Sequence, residues 1–540
     1  MAVIYIFRIL TLSVFLLDSG SAYELYSIGN QLELEGKITE AIEYYRKASE
    51  LAPDAVEIYV SLASALYMVQ RFDEGITYIR KALEIQPDNI TLHQLIALGH
   101  VGKQDLDQAI VHYEQVLELE PNNLETYLAI ATLHEARRDI QRAIAALEST
   151  PEAIRTPDVY LRLASLAGKA SEHSMAIEYY RDAYAMDTTN IAPLVGIGTG
   201  YDMIGMKDSA IYYYEKAIQD SFNPSIAQRL VDLYTELDLY ERVTSTANRI
   251  LEDNPENTHV RRSLAYAFYK LGMPESALDQ FYIALRYDRN DTYSAFYLAR
   301  IHLEQEDYDR ALTDIYNAIA IDPDFIELWI YLGFITIEKK DYDLAEYAFS
   351  EAAYRGGDLT QIYYLLGATA ETRGSDLDAY RYYKKALDEN ARNIAALQAL
   401  AGITAELERD DETFRVFQRI LEIDTLNAVA LNYIGYTYAE KNDSLEYALR
   451  LLDRALEIDR DNGYYIDSRG WIYYMMGRYD DALSELIRAS EIVEDAVILE
   501  HLGDVYQQLS ENTKAREAYE KAMELDPKNK TLESKLQRLK

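Results

Sequence analysis

Eight histidines are the residues whose type could hold a metal. His100, His134 and His302 fall at one place in a recurring pattern, and His93 lies one helical face away from His100. If equal positions stack, His93, His100 and His134 come together, and imidazole nitrogens are ordinary zinc ligands. The same rings also serve as aromatic packing. That reading is adopted, with no metal and no cofactor expected. No HExxH stretch is present. Gly196, Gly198 and Gly200 in GIGTGYDMIG outline a phosphate loop, but the spacing is wrong for a dinucleotide fingerprint and no strand precedes it. Gly200 to Lys207 approaches a P-loop that Met206 and Asp208 break. Serine, histidine and aspartate occur without a nucleophile-elbow sequence. Acidic pairs such as Asp307/Asp309 and Asp480/Asp481 sit at turns and helix starts, where carboxylates complement the helix dipole. The chain has no cysteine, so disulfides, thiol catalysis, Cys-held zinc, iron–sulfur clusters and lipid attachment through Cys are excluded.

What positions these residues is a repeat. Pro53, Pro87 and Pro121 are 34 residues apart, and Ala41, Gly75, Ala109 and Ala143 keep the same step. Tyr127, Ile130, Ala131 and His134 define one helical stripe, and Ala311, Ile315 and Ala318 define a second. A short polar turn separates the two. The second helix closes at EIQPDN, ELEPNN, AIDPDF or ELDPKN, because proline cannot continue a helix. With 23 glycines and 11 prolines in 540 residues the chain has too few turn formers for an all-β fold. An apolar share of 49% is enough to build a core.

The segments DSRGWIYYMMGRYDDALSELIRASE and LEHLGDVYQQLSENTKAREAYEKAMELDP resemble the tetratricopeptide repeat (TPR) family. The resemblance implies an all-α TPR solenoid, a right-handed superhelix of about fifteen helix-turn-helix repeats. Repeats start at Ala22, Val56, Ile90, Leu124, Pro157, Ile191, Pro224, Thr258, Thr292, Ile326, Thr360, Ile394, Ala428, Gly463 and Ala496. Small residues mark the helix crossings at Gly29, Ala63, Ala97, Gly198, Gly333, Gly367, Gly435, Gly470 and Gly503. The fourth repeat departs from the pattern at Thr150, the seventh at Val243 and Ala247, and the twelfth at Thr413. The thirteenth carries one extra residue in EKNDSLEYA. The fourth and seventh are candidate hinges. The expected boundaries are a signal peptide over 1–22, the array over 23–529 and a polar capping helix over 530–540, which covers the last apolar face. No stretch long enough for an appended catalytic domain is left between the repeats, so the chain is expected not to be an enzyme.

In this family the first helix of each repeat lines the inner groove. The stripe rotated away from the core carries His259, Arg262, Tyr266, Tyr269, Tyr293, Phe296, Arg300, Phe334 and Tyr364, and later Asn432, Tyr436, Tyr464, Asp467, Trp471 and Tyr474. Tyr297, Tyr331 and Tyr433 flank it. Aromatics with a few arginines have the composition of binding hot spots. The alternative is that they only pack between neighbouring first helices. The Lys/Asn/Arg clamp of chaperone-tail binders is missing from this stripe, and Asn30 and Asn432 are too few for the asparagine ladder of sugar-transferase arrays.

At the N-terminus Arg8 precedes an apolar run from Ile9 to Leu17 and the small residues Ser19 to Ala22, the order of an export signal. Cleavage releases a periplasmic chain, and an uncleaved segment tethers it. No other stretch is apolar enough to span a membrane. The net charge of −38 disfavours nucleic acid and anionic membrane surfaces. The stretch from LNYIGYTYAEKND to MMGRYDDAL is similar to the end of large bacterial envelope repeat lipoproteins, some of which act as protease adaptors. The expected function is a non-catalytic scaffold or adaptor in a bacterial envelope, binding proteins or extended peptides. A periplasmic assembly factor for polysaccharide export or outer-membrane proteins is the runner-up. A metal- or sugar-binding regulatory subunit of an enzyme is the rival.

Overall fold

The computed structural model describes residues 20–219 and 221–539. Most of the expected export signal, residues 1–19, lies outside the described residues. Gly20 to Ala22 form the first turn of the helix Gly20–Leu34, where Ala22 is buried. Among the described residues there are 31 α-helices, one 3-10 turn at Glu152–Ile154 and no strand. Consecutive helices pair, as an all-α repeat architecture requires. The chain divides into two compact halves, residues 1–271 and 272–540. The first runs from Gly20–Leu34 to Thr258–Lys270 and the second from Pro274–Tyr287 to Lys530–Arg538. First helices open on the sequence phase at Val56, Ile90, Leu124 and Pro157, and again at Ile326, Ile394 and Gly463.

Local signals set the helix ends. At most closing turns an asparagine or aspartate caps the next first helix: Asn89, Asn123, Asn257, Asp291, Asn393 and Asn427 each accept from a backbone N–H of its first turn. Inside a pair the first helix ends on one left-handed residue. Gln70 (φ 62) donates to the Tyr67 carbonyl at 3.0 Å, and Arg71 donates to the Leu66 carbonyl at 2.9 Å. Lys340 and Asp341 repeat this arrangement on Ile337 and Thr336. These are the two bonds of a Schellman cap. Glycine holds that position at Gly36, Gly205, Gly272, Gly374 and Gly477, while most repeats force an ordinary side chain into it.

Packing within a repeat turns on the crossing residue. A Cβ added at Gly29, Gly198, Gly367 or Gly503 would lie 2.6, 2.8, 2.5 or 2.4 Å from the ring of Tyr45, Tyr214, Tyr383 or Tyr519. At Gly333 the ring is Phe349, at 2.5 Å. Where the crossing residue is Ala63, the residue behind it is the smaller Ile79, and both are buried. Glycine stands over a large ring in these five repeats, whereas Gly435 and Gly470 cross over Leu452 and Leu486. Gly196, Gly198 and Gly200 each face a side chain of a neighbouring helix, Tyr180, Tyr214 and Ile177. Their spacing serves helix packing.

The departing repeats find separate solutions. In the fourth, the second helix is cut to nine residues, Ile140–Glu148, and Arg155 returns to donate to the Glu148 and Thr150 carbonyls left open at its end. In the seventh, Val243 and Ala247 are fully buried within a 14-residue helix. In the twelfth, the Thr413 hydroxyl is bonded to Thr404 at 2.9 Å, and Thr404 reaches the Leu400 carbonyl at 2.8 Å, so the buried hydroxyls are satisfied. In the thirteenth, the extra residue is absorbed by a second left-handed residue, Ser444, after Asn442.

Consecutive repeats are also tied by ions at intervals of 30 residues: Lys103 to Asp73, Arg137 to Asp107, Lys339 to Asp309 at 2.6 Å and Arg373 to Asp343 at 2.9 Å. Such exposed pairs contribute about 0–1 kcal/mol each, so they set register more than stability.

Two glycines with open space around them separate backbone strain from packing. A Cβ at Gly374 (φ 82) or at Gly402 meets nothing within 4 Å. Gly374→Ala should destabilise its repeat by about 1 kcal/mol, because the left-handed conformation is strained for alanine. Gly402→Ala, inside a helix, should stabilise by about 0.5–1 kcal/mol. Denaturant melts of the two variants check the opposite signs. Gly367→Ala should cost about 1–3 kcal/mol through the Tyr383 ring. It should lower hydrogen-exchange protection in Leu359–Thr372 and Asp376–Glu389, and unchanged protection there would contradict the crossing argument.

Candidate functional site

The stripe residues lie on the first helices, and the structure links many of them. In the first half, Tyr266 meets Tyr240 edge-on at 6.0 Å and lies 6.5 Å from Tyr269. Arg262 is half-buried on the same helix. In the second half, Phe296 is only 8% exposed, held edge-on between Tyr297 at 5.3 Å and Tyr331 at 4.9 Å. Tyr331 leads to Phe334 at 5.9 Å. The Arg300 guanidinium lies 5.8 Å from the Tyr297 ring and 6.0 Å from Tyr331. Tyr293 is 37% exposed. Tyr433 stacks on Phe417 at 4.3 Å, away from this set.

A second assembly lies on three later first helices, Ala428–Glu440, Gly463–Met475 and Ala496–Gln508. Trp471 stacks on Tyr474 at 4.6 Å and on His501 at 4.1 Å, and its Nε1–H donates to Glu440 at 2.7 Å. Asp467 is buried, 2.9 Å from His501 Nδ1. Tyr436 lies 6.4 Å from His501, and burial is the first cause that raises its phenol pKa, with Glu440 adding to it. Asn432 Oδ1 is buried without a hydrogen-bond partner, while Tyr464 is 54% exposed. The sequence reading missed His501 and Glu440. His501 stands 34 residues after Asp467, so one step of the period from each stripe residue would have found it.

Second helices also reach this face. The rings that pass under the crossing glycines carry their hydroxyls through to the first helix. Tyr45 donates to Asn30 at 2.8 Å and Glu33 at 2.7 Å, Tyr383 to Glu371 at 2.5 Å, and Tyr519 to Asp504 at 2.6 Å. Tyr214 pairs with Thr199 at 3.1 Å. Burial, followed by the carboxylate, raises the pKa of Tyr383 and Tyr519, so they remain neutral donors. Tyr383 and Glu371 join Tyr364 in lining an open cleft of about 560 Å³ between Leu359–Thr372 and Ile394–Glu406.

The histidines regroup. His93 and His112 face each other through their Nδ1 atoms at 3.3 Å, His93 Nε2 lies 2.8 Å from the Pro87 carbonyl, and His100 stacks on His112 at 5.8 Å. No contact joins His134 to this set: its Nδ1 is buried without a partner. His302 pairs with Asp314 at 2.8 Å. Among the described residues no three ligating side chains converge on a metal-sized site, and no helix is long and apolar enough to cross a membrane.

The imidazole cluster has a pH consequence. His112 is pushed down to about 4 by burial and then by His93 and His100, with Arg80 adding to it. His100 is lowered by burial against the opposing pull of Asp105. A folded pKa below the unfolded value means that stability is complete above pH ~6.5 and is lost as pH falls towards 4. Allowing for solvent screening of the half-exposed His112 ring, the loss should be about 1–2 kcal/mol. Hydrogen exchange, corrected for intrinsic rate, should show Ile90–Gly102 and Leu106–Leu119 losing protection between pH 7.5 and 5. In His112→Phe the loss should be clearly smaller, with His100 alone left to contribute.

Residues 32–99 and 100–166 match the family described as tetratricopeptide repeat, and 262–324 match another family of that description. Residues 471–540 match a tetratricopeptide repeat-like domain. A TPR repeat-containing protein of Pseudomonas aeruginosa is 36% identical over 78 residues, 14% of this chain and 13% of its own length. A TPR repeat-containing protein of Methanocaldococcus jannaschii is 23% identical over 314 residues, 55% of this chain and 49% of its own length. The chain therefore spans about half or less of these relatives. The solved structure of YrrB, described as a TPR protein with an unusual peptide-binding site, is 24% identical. It covers 34% of this chain and 95% of its own, with a TM-score of 0.29.

Proposed function

Because the chain is a tetratricopeptide-repeat protein, we propose that it is a non-catalytic scaffold holding protein partners or extended peptides on its first-helix face, in a bacterial envelope. The family supports protein–protein interaction as the class of function. The observation that carries the choice of face is the two interlocked aromatic sets, one around Phe296 and one around Trp471, with Tyr293 and Tyr464 left exposed beside them. Buried rings hold exposed ones in place, so little side-chain entropy remains to be lost on binding. The polar pair that most resembles catalytic machinery, His501 with Asp467, is buried and stacked against Trp471. Its geometry suits joining two helices. The envelope assignment rests on the order Arg8, apolar run, small residues to Ala22 and on the resemblance of the last repeats. A net charge of −38 favours basic partners, with association weakening as salt rises.

Affinity capture from an envelope extract tests this reading. A partner should be retained by the chain and lost, about tenfold or more, in Tyr293→Ala/Tyr464→Ala of unchanged helicity. Equal retention by both would move recognition off this face.

A further inference from the structure

Four repeats carry a carboxylate as their twelfth residue: Glu33, Glu135, Asp202 and Glu371. The sixth residue of the next repeat stands opposite. Glu135 is met by Arg162 at 2.9 Å, and Asp202 by Arg229 through two bonds of 2.7 and 2.8 Å. Opposite Glu33 stands Ser61, and the Tyr26 hydroxyl lies 3.1 Å from it. The terminal helix pairs with other positions, the fifth and ninth residues of the repeat before it in place of the twelfth. Its Lys535, at the corresponding place, reaches Glu500 at 2.6 Å and Asp504 at 2.7 Å and lies 5.6 Å from the Tyr519 ring. Asp504 also accepts from the Tyr519 hydroxyl.

At Glu371 the same arrangement lacks its cation. The Tyr383 hydroxyl is bonded to Glu371 as Tyr519 is to Asp504. The sixth residue of the following repeat, however, is Ala399, and neutral Gln398 stands beside it. The cations next in sequence are engaged elsewhere, Arg373 with Asp343 and Glu346, and Lys384 with Glu412. The space left by the missing side chain is the cleft of about 560 Å³ lined by Tyr364, Ala368, Glu371, Tyr383, Gln398 and Ala399. A carboxylate with an aromatic ring beside it complements a planar cation, which can stack on the ring and bond the carboxylate edge-on.

We propose that this cleft is a socket for an arginine side chain of a protein partner, taking the place that Arg162 and Arg229 fill from within the chain. The proposal rests on partner binding by the first-helix face and names the chemistry recognised there. It makes the partner's arginine a continuation of an ion-pair series the protein already uses.

The test uses the full chain labelled with 13C at alanine methyl groups, titrated with acetyl-Gly-Gly-Arg-Gly-Gly amide and with its citrulline counterpart, which keeps the shape and removes the charge. The Ala368, Ala395 and Ala399 methyl signals should shift saturably with the arginine peptide, and at least tenfold more weakly with citrulline. Glu371→Gln, which keeps an acceptor for Tyr383, should abolish the preference. Ala399→Arg should fill the socket internally and block the shift. Equal response to both peptides, or a preference surviving in Glu371→Gln, would overturn the proposal. The methyl signals report only on this cleft, whereas partner capture by the Tyr293/Tyr464 variant reports on the face as a whole. Either reading can therefore fail while the other stands.

Discussion

How closely two helices of a repeat can cross is the constraint on which the rest of the structure depends. A glycine inside a helix costs about 1 kcal/mol against alanine. Here it admits a whole tyrosine or phenylalanine ring at the crossing, as at Gly367 under Tyr383 and Gly333 under Phe349. Burial of such a ring outweighs the propensity cost. The ring also reaches further than packing alone requires. Because Tyr383 passes under the first helix, its hydroxyl meets Glu371 on the far side. A residue of the second helix thereby becomes part of the face that the first helices present.

That face is held by aromatic contacts that run between repeats. Phe296 joins Tyr297 to Tyr331, and Trp471 joins Tyr474, His501 and Glu440. Packing of these residues is compatible with a partner binding beside them. The buried rings give rigidity to the exposed ones, and a rigid surface loses less entropy when a partner arrives.

Charge acts at two ranges. Near pairs such as Lys339 with Asp309 tie one repeat to the next, each too exposed to matter much alone. Over longer distances the excess of carboxylates leaves an acidic field that raises the encounter rate with basic partners and is screened by salt. Glu371 contributes to the long-range field without a near ion pair, since it faces an alanine across the cleft.

The sequence by itself determined the period, the helix boundaries and the crossing residues. Each depends on signals within a few residues of one another: an asparagine cap, a proline after a helix, a glycine sixteen residues before a tyrosine. Most stripe residues were legible for the same reason, since 3.6-residue periodicity places them on one face. Only the tertiary structure decided which side chains from different helices meet. His93 pairs with His112 and not with His134, Asp467 with His501, and Arg229 with Asp202, whereas Glu371 faces Ala399. Those outcomes depend on how far each helix rotates against the next and on side-chain direction. An arginine or an alanine as sixth residue separates a paired carboxylate from an open cleft, as Arg229 opposite Asp202 and Ala399 opposite Glu371 show, and helix rotation decides that these two positions meet.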